Sequence, residues 1–233
     1  MNSMKGMLGQ SLALQWRVSR WPVVPFVLAG FGLPLLALRG AQGIAARVPE
    51  GPAEAILVTL QNWTPLFPLT AALLGVTLGL GAWSWDHRGN HVYALSLPVG
   101  RWEYALLKFA AGGVIMLVPV AAVLAGVSLG LAGFQLPEGL HAYPLAFTLR
   151  FLLAALVVYA LSFALAAGTI RTALWVISLF LSWLIFGTLA VGFAHEVLGV
   201  EQLPTPLDLL NAALSDWPGP FHVFGGNWMP IDV

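Results

Sequence analysis

The stretch Trp83–Phe109, WSWDHRGNHVYALSLPVGRWEYALLKF, decides how the chain is read. It is the longest polar, charge-bearing break between two long apolar runs, and it holds Asp86, Arg88, Arg101, Glu103 and Lys108. A bilayer crossing takes about 20 apolar residues, and the runs on either side, Pro65–Trp83 and Tyr104–Gly133, are of that length or longer. The break therefore reads as a cytoplasmic handle between two membrane spans.

Composition agrees. The chain is 59% apolar and only 9% charged, where a soluble domain carries about 25% charged residues. Its mean hydropathy is +0.85, so a bilayer is the expected solvent. There is no cysteine, which excludes disulfides, thiolate catalysis and Cys-based metal sites. The 10 Lys and Arg are spread along the chain and form no basic stripe of the kind that binds nucleic acid.

Working outward toward the N-terminus, Trp21–Leu38 is a first uncharged span, with Pro22, Pro25 and Pro34 tolerated as lipid tolerates them. Before it, Met4, Met7, Leu8, Leu12 and Trp16 fall on one helical face, which predicts an amphipathic helix over 1–20 lying in the headgroup layer. Arg39–Trp63 reads as a mixed loop with a short helix over Ala53–Leu60. In the second span Gly75 and Gly79 are four apart, and in the third Gly126 and Gly130 repeat the spacing. Small residues so placed allow close helix approach, here read as packing within one subunit. Pro119 predicts a kink in the third span.

Toward the C-terminus, Leu145–Thr169 is a fourth span with Arg150 near its start. Arg171-Thr172 turns tightly into a fifth, Ala173–Ala194. His195–Val233 is an acidic, proline-rich tail in which Leu207–Leu214 is a short helix capped by Thr205 or Asp208. The expected fold is an all-α polytopic membrane helical bundle with five clear transmembrane helices. Its parts are an interfacial helix over 1–20, a transmembrane domain over 21–194 with a cytoplasmic loop over 84–103, and an extracytoplasmic tail over 195–233.

Charge sets the expected orientation. With the N-terminus inside, Lys5, Arg17, Arg20, Arg88, Arg101, Lys108 and Arg171 are cytoplasmic, and Arg39, Arg47 and Arg150 lie outside. That obeys the positive-inside rule; the inverse violates it. Trp21, Trp63, Trp83, Trp85, Trp102 and Trp175 fall at predicted interfaces, where amphipathic rings prefer to sit.

Little here points to catalysis. His87 and His91 have helical ligand spacing, but Gly89-Asn90 between them predicts a turn and no carboxylate or Cys completes a set. Ser162, Ser178 and Ser182 lie in spans without a His–Asp partner, where bonding within helices is their expected use. No GxxxxGK[ST] phosphate loop is present. Two readings stand for Arg150: it snorkels outward, or it meets an anionic substrate or lipid headgroup.

The order Asp86, Gly89, Leu97-Pro98-Val99-Gly100-Arg101, Lys108 resembles the stretch after the second span in ABC transporter permeases of the exporter-like type-2 class. The loop match covers about 25 residues, and the hydropathy order extends it loosely to Ala194. The resemblance implies a permease without its own catalytic site, and no cofactor or metal. It implies a cytoplasmic ATP-binding subunit docking on the loop through Asp86, Arg88, Gly89, Leu97, Pro98, Arg101 and Trp102. It further implies a second permease subunit, identical or similar, surrounding membrane lipids, and residence in a bacterial cytoplasmic membrane. Members of this family carry re-entrant helices after span five and then a sixth span. Glu196–Leu214 fits the former, and no stretch here fits the latter. Nearly uncharged spans suggest an amphipathic or lipid-like substrate. The competing expectation is a non-transporting scaffold or assembly subunit that anchors a complex through its acidic tail.

Overall fold

Inside a bilayer every backbone N–H and C=O has to be bonded within the chain, and a helix does this segment by segment. The computed structural model describes residues 2–48, 51–88, 100–134, 136–168, 170–198, 203–216 and 218–232. It is all-α, with 82% of it helical, so the expected class holds. The elements are α1 (Asn2–Ala45), α2 (Pro52–Gln61), α3 (Leu66–Arg88), α4 (Arg101–Leu131), β1 (His141–Ala142), α5 (Pro144–Ala167), α6 (Ile170–Leu198), α7 (Pro206–Leu214), a 3-10 turn (Pro220–Phe224) and β2 (Ile231–Asp232). Five helical stretches are long and apolar enough to cross a membrane.

The helix expected over 1–20 is present, but it does not end at Arg20. α1 runs 44 residues through Pro22, Pro25 and Pro34, about 66 Å at ~1.5 Å per residue, against a hydrocarbon core of ~30 Å. Nor does Arg39 begin a loop. It lies inside α1, and only at Ala45 does the chain turn into α2, whose Ile56 and Leu60 are buried. Around residues 15–19 the bundle-facing side of α1 is also not the apolar one. Gln15 and Ser19 are buried while Trp16 is exposed.

Two compact units divide the chain, Met1–Phe163 with Gly226–Val233, and Ala164–Gly225. The first is built on glycine seams. A Cβ on Gly75 would meet the Ala155 carbonyl at 2.6 Å, and one on Gly79 would strike Ser162 and Phe163, so α3 lies backbone-close to α5. A Cβ on Gly126 would strike the Phe31 backbone, and one on Gly30 would meet Pro119 and Val123 at 3.0 Å, so α4 is as close to α1. All four glycines of the two small-residue pairs are covered by helices of the same chain (Gly130 by Leu38). Residue numbers ascend together across both seams, so each pair runs parallel. Phe67 meets Phe147 edge-on at 5.0 Å at one end of α3–α5, and Trp83 meets Phe163 at 5.2 Å at the other. This unit therefore has two opposed ends: the end of α3 and start of α4 lie at one, and the start of α5 lies at the other.

The second unit contains α6, none of whose apolar stretch Leu174–Ala194 is buried. A Cβ on Gly187 would strike the Pro206 ring, so α7 begins about 11 residues, or ~16 Å, back from the end of α6. Thr205 caps α7 in a reciprocal box: its hydroxyl accepts from the Asp208 N–H at 3.2 Å, and Asp208 Oδ2 accepts from the Thr205 N–H at 2.8 Å.

Two outcomes test this packing. Gly126→Val forces a side chain into backbone and should lower the thermal unfolding midpoint in detergent by an amount at or above the ~1–3 kcal/mol of ordinary overpacking. Gly113→Ala, which meets nothing within 4 Å, should leave the midpoint in place. The Thr205 hydroxyl and N–H hold the Asp208 carboxyl below its ordinary range. A depressed folded value means that the cap is fully formed above the ordinary Asp range and is lost as pH falls through the folded value. Hydrogen exchange, corrected for intrinsic rates, should show α7 amide protection fading on acidification, and Asp208→Asn should remove that dependence.

Candidate functional site

Two charges of opposite sign, one near the end of α3 and one near the start of α4, are brought together by the structure. Asp86 lies in the last turn of α3, and Lys108 lies two turns into α4. Both are buried, with the side chains 3% and 8% exposed, and Lys108 Nζ pairs directly with Asp86 Oδ2. The ammonium also donates to the Ala82 carbonyl at 2.8 Å. It sits 4.7 Å from the centre of the Trp83 ring and 5.0 Å from that of Tyr104, within cation–π reach. Tyr104 completes the carboxylate's coordination, donating its hydroxyl to Asp86 Oδ1 at 3.1 Å. Each charge thus has both an opposite charge and further hydrogen-bonding, the condition under which a buried ion pair is sustained.

A third helix is tied in alongside. Tyr159 of α5 donates its hydroxyl to the Phe109 carbonyl at 3.0 Å and stacks on the Phe109 ring at 4.9 Å. Ser162 donates to the Gly75 carbonyl at 3.1 Å, joining α5 to α3. α1 meets the same region differently. Ser19 Oγ is buried without a hydrogen-bond partner, and Gln15 lies beside Gly112 with its amide in no hydrogen bond of good geometry.

The predicted docking residues divide in two. Asp86 faces inward, so it secures the base of the turn and is out of reach of a docking subunit. Arg101, Trp102 and Glu103 open α4 and are exposed, Trp102 by 67%. Glu103 in the first turn suits the positive end of the helix dipole. Arg88 is the last residue of α3. Gly89, Leu97 and Pro98, with His91, lie outside the described residues. Tyr104, Tyr159, Gln15 and Ser19 were not visible as site residues in the sequence. Tyr104 carries a usable signal, one turn before Lys108 on the same helical face; Tyr159 and Gln15 carry none.

Arg150 sits at the opposite end of the first unit, and its partners come from the C-terminal segment. Its Nη1 donates to the Asn227 carbonyl at 2.6 Å, and the guanidinium lies 4.8 Å from the Trp228 ring centre. Trp228 and Ile231 are buried, β2 pairs antiparallel with β1 through Ile231 and Ala142, and the Tyr143 N–H donates to the Pro230 carbonyl at 2.9 Å. The last residues of the tail, Gly226–Val233, belong to the first unit. Arg150 fastens them there.

Five apolar helices of spanning length fit a multi-pass membrane protein. No protein-family model matches the chain, and no curated protein or solved structure is significantly similar to it.

Lys108→Met leaves Asp86 as an uncompensated buried charge and should destabilise the protein by about 3–5 kcal/mol. Lys108→Met combined with Asp86→Leu removes both charges and should recover most of that loss, as read from thermal unfolding of the purified full chain in one detergent.

Proposed function

We propose that this chain is the membrane-spanning permease subunit of an ATP-driven transporter of the exporter-like type-2 ABC class. A separate cytoplasmic ATPase docks on the segment between α3 and α4, and a second permease subunit completes the path. The observation that carries the reading is the pairing of the end of α3 with the start of α4. An exposed cationic and aromatic pair, Arg101 and Trp102, opens α4 two turns before Lys108, whose buried ion pair with Asp86 fastens the two helices together. A protein that draws energy from a partner needs a rigid element offered to that partner, and Arg and Trp are among the residues that dominate interface energies. The resemblance over Asp86–Lys108 points the same way.

Orientation follows from charge. The end of the first unit that carries the turn also carries Arg17, Arg20, Arg88 and Arg101, which the positive-inside rule assigns to the cytoplasm, in a bacterial cytoplasmic membrane. The fold-back of α7 along α6 supports the re-entrant element expected after the last span. A nearly uncharged lipid-facing surface favours an amphipathic or lipid-like cargo. The scaffold reading loses support from the C-terminal segment, because Trp228 and Ile231 are spent on the chain's own bundle.

Arg101→Glu with Trp102→Ala is the test. The variant should insert and fold as wild type, with an unchanged unfolding midpoint, and should lose co-purification of the nucleotide-hydrolysing subunit by at least tenfold. Wild-type recovery of that subunit with the variant would overturn docking at this surface.

A further inference from the structure

The seams that meet at the α3–α4 turn are of two kinds. Between α3 and α4 the contact is fastened four ways: Lys108 to Asp86, Lys108 to the Ala82 carbonyl, Tyr104 to Asp86, and the ammonium against the Trp83 and Tyr104 rings. Opening it strands a carboxylate and an ammonium among apolar side chains where no solvent can compensate them. Where α1 passes these helices at this end the contact is polar and lightly fastened, in contrast to the close seat of α1 on Gly126 and Gly130 further along. The Ser19 hydroxyl is buried with no hydrogen-bond partner and would lie 4.0 Å from a Cβ on Gly81, and Gln15 faces Gly112 and the Tyr159 hydroxyl. A small shift of this part of α1 breaks no hydrogen bond of Ser19, and Gly81 and Gly112 opposite present no side chain to climb over.

We infer that the α3–α4 end moves as one lever whose lock stays closed through the working cycle, and that the movement is taken up at the α1 seam over Gly81 and Gly112. Asp86, Lys108 and Tyr104 are then positioning residues: they touch neither cargo nor nucleotide, and they make a push on the loop arrive undivided at two spans. Ser19 and Gln15 mark the surface that slips. The orphaned Ser19 hydroxyl lowers the cost of leaving the resting position, because the resting position does not satisfy it. The inference rests on the permease reading, since it needs a partner that pushes.

The absence of cysteine makes a direct test available. In Ser19→Cys/Gly81→Cys the two thiols face each other across the slip seam, where a side chain on Gly81 has room. In Asp86→Cys/Lys108→Cys a short bifunctional thiosulfonate replaces the lock with a covalent one. Each is purified as the full chain with its co-purifying ATPase, reconstituted in native-lipid nanodiscs, and assayed for ATP hydrolysis. Oxidising the Ser19/Gly81 pair should reduce hydrolysis at least tenfold, with full recovery in reductant showing that folding and docking survived. Cross-linking the Asp86/Lys108 pair should restore at least half of the wild-type rate. An oxidised Ser19/Gly81 complex that turns over at the wild-type rate overturns the slip seam, and a cross-linked Asp86/Lys108 complex that docks its ATPase but is inactive overturns the closed lock. Should the latter variant fail to accumulate, the Ser19/Gly81 arm decides alone. If wild type itself brings down no ATPase, the permease reading falls, and the inference falls with it for that separate reason.

Discussion

A carboxylate and an ammonium buried between two apolar helices impose a requirement that ordinary packing does not. Leu against Val tolerates a shift of an ångström; Lys108 against Asp86 does not, because every displacement returns two charges to an environment that cannot solvate them. The Ala82 carbonyl and the Tyr104 hydroxyl sharpen the requirement by fixing direction as well as distance. The end of α3 and the start of α4 inherit their spacing from this contact. The exposed residues Arg101 and Trp102 can present a defined surface only because the helices below them are held at a defined spacing.

Glycine supplies the rest of the spacing, and it does so by a different physics. Lipid gives little hydrophobic reward for bringing two apolar helices together, so close packing of backbones takes over that role. Gly75 and Gly79 let α3 approach α5, while Gly126 and Gly130 let α4 approach α1. Both seams join helices that run parallel, as alternating spans must when the first pairs with the third and the second with the fourth. At the far end the C-terminal segment adds a further join. Arg150 reaches the Asn227 carbonyl and the Trp228 ring, and a minimal β1–β2 ladder closes the corner. A charge near a span's end is easily read from sequence as a headgroup contact. Here its partner is a tryptophan 78 residues downstream, which no local pattern announces.

What the sequence made legible was set by interaction range. Span number, the Thr205–Asp208 cap, the short helix before the second span and the small-residue pairs are all local patterns, and each has its counterpart in the structure. Hydropathy located the first span but not its ends. Arg20 and Arg39 are charged yet helical, because a helix leaving the bilayer keeps its own hydrogen bonds and has no reason to stop at the headgroups. Trp16 was legible as part of an apolar face, but the direction in which that part of α1 faces was not. The polar Gln15–Ser19 side meets the bundle because polar neighbours wait there, and an isolated helical wheel cannot contain that fact. The charged stretch around α3 and α4 was half legible: composition marked it as charged, yet gave no means of telling the inward Asp86 from the outward Arg101.

The contrast between Asp86 and Ser19 follows from the same accounting of buried polar atoms. A chain that spans lipid minimises such atoms, and the few it keeps are either fully satisfied or left wanting. Full satisfaction at Asp86–Lys108–Tyr104 produces a contact that resists change. Partial satisfaction at Ser19 and Gln15 produces one in which the resting geometry holds little advantage over its neighbours. Both occur around the start of α4, within two turns of Lys108: Gly112, facing Gln15, is one turn beyond it. A rigid contact beside a yielding one is the arrangement by which a force entering at a single turn can displace two helices together without unfolding either.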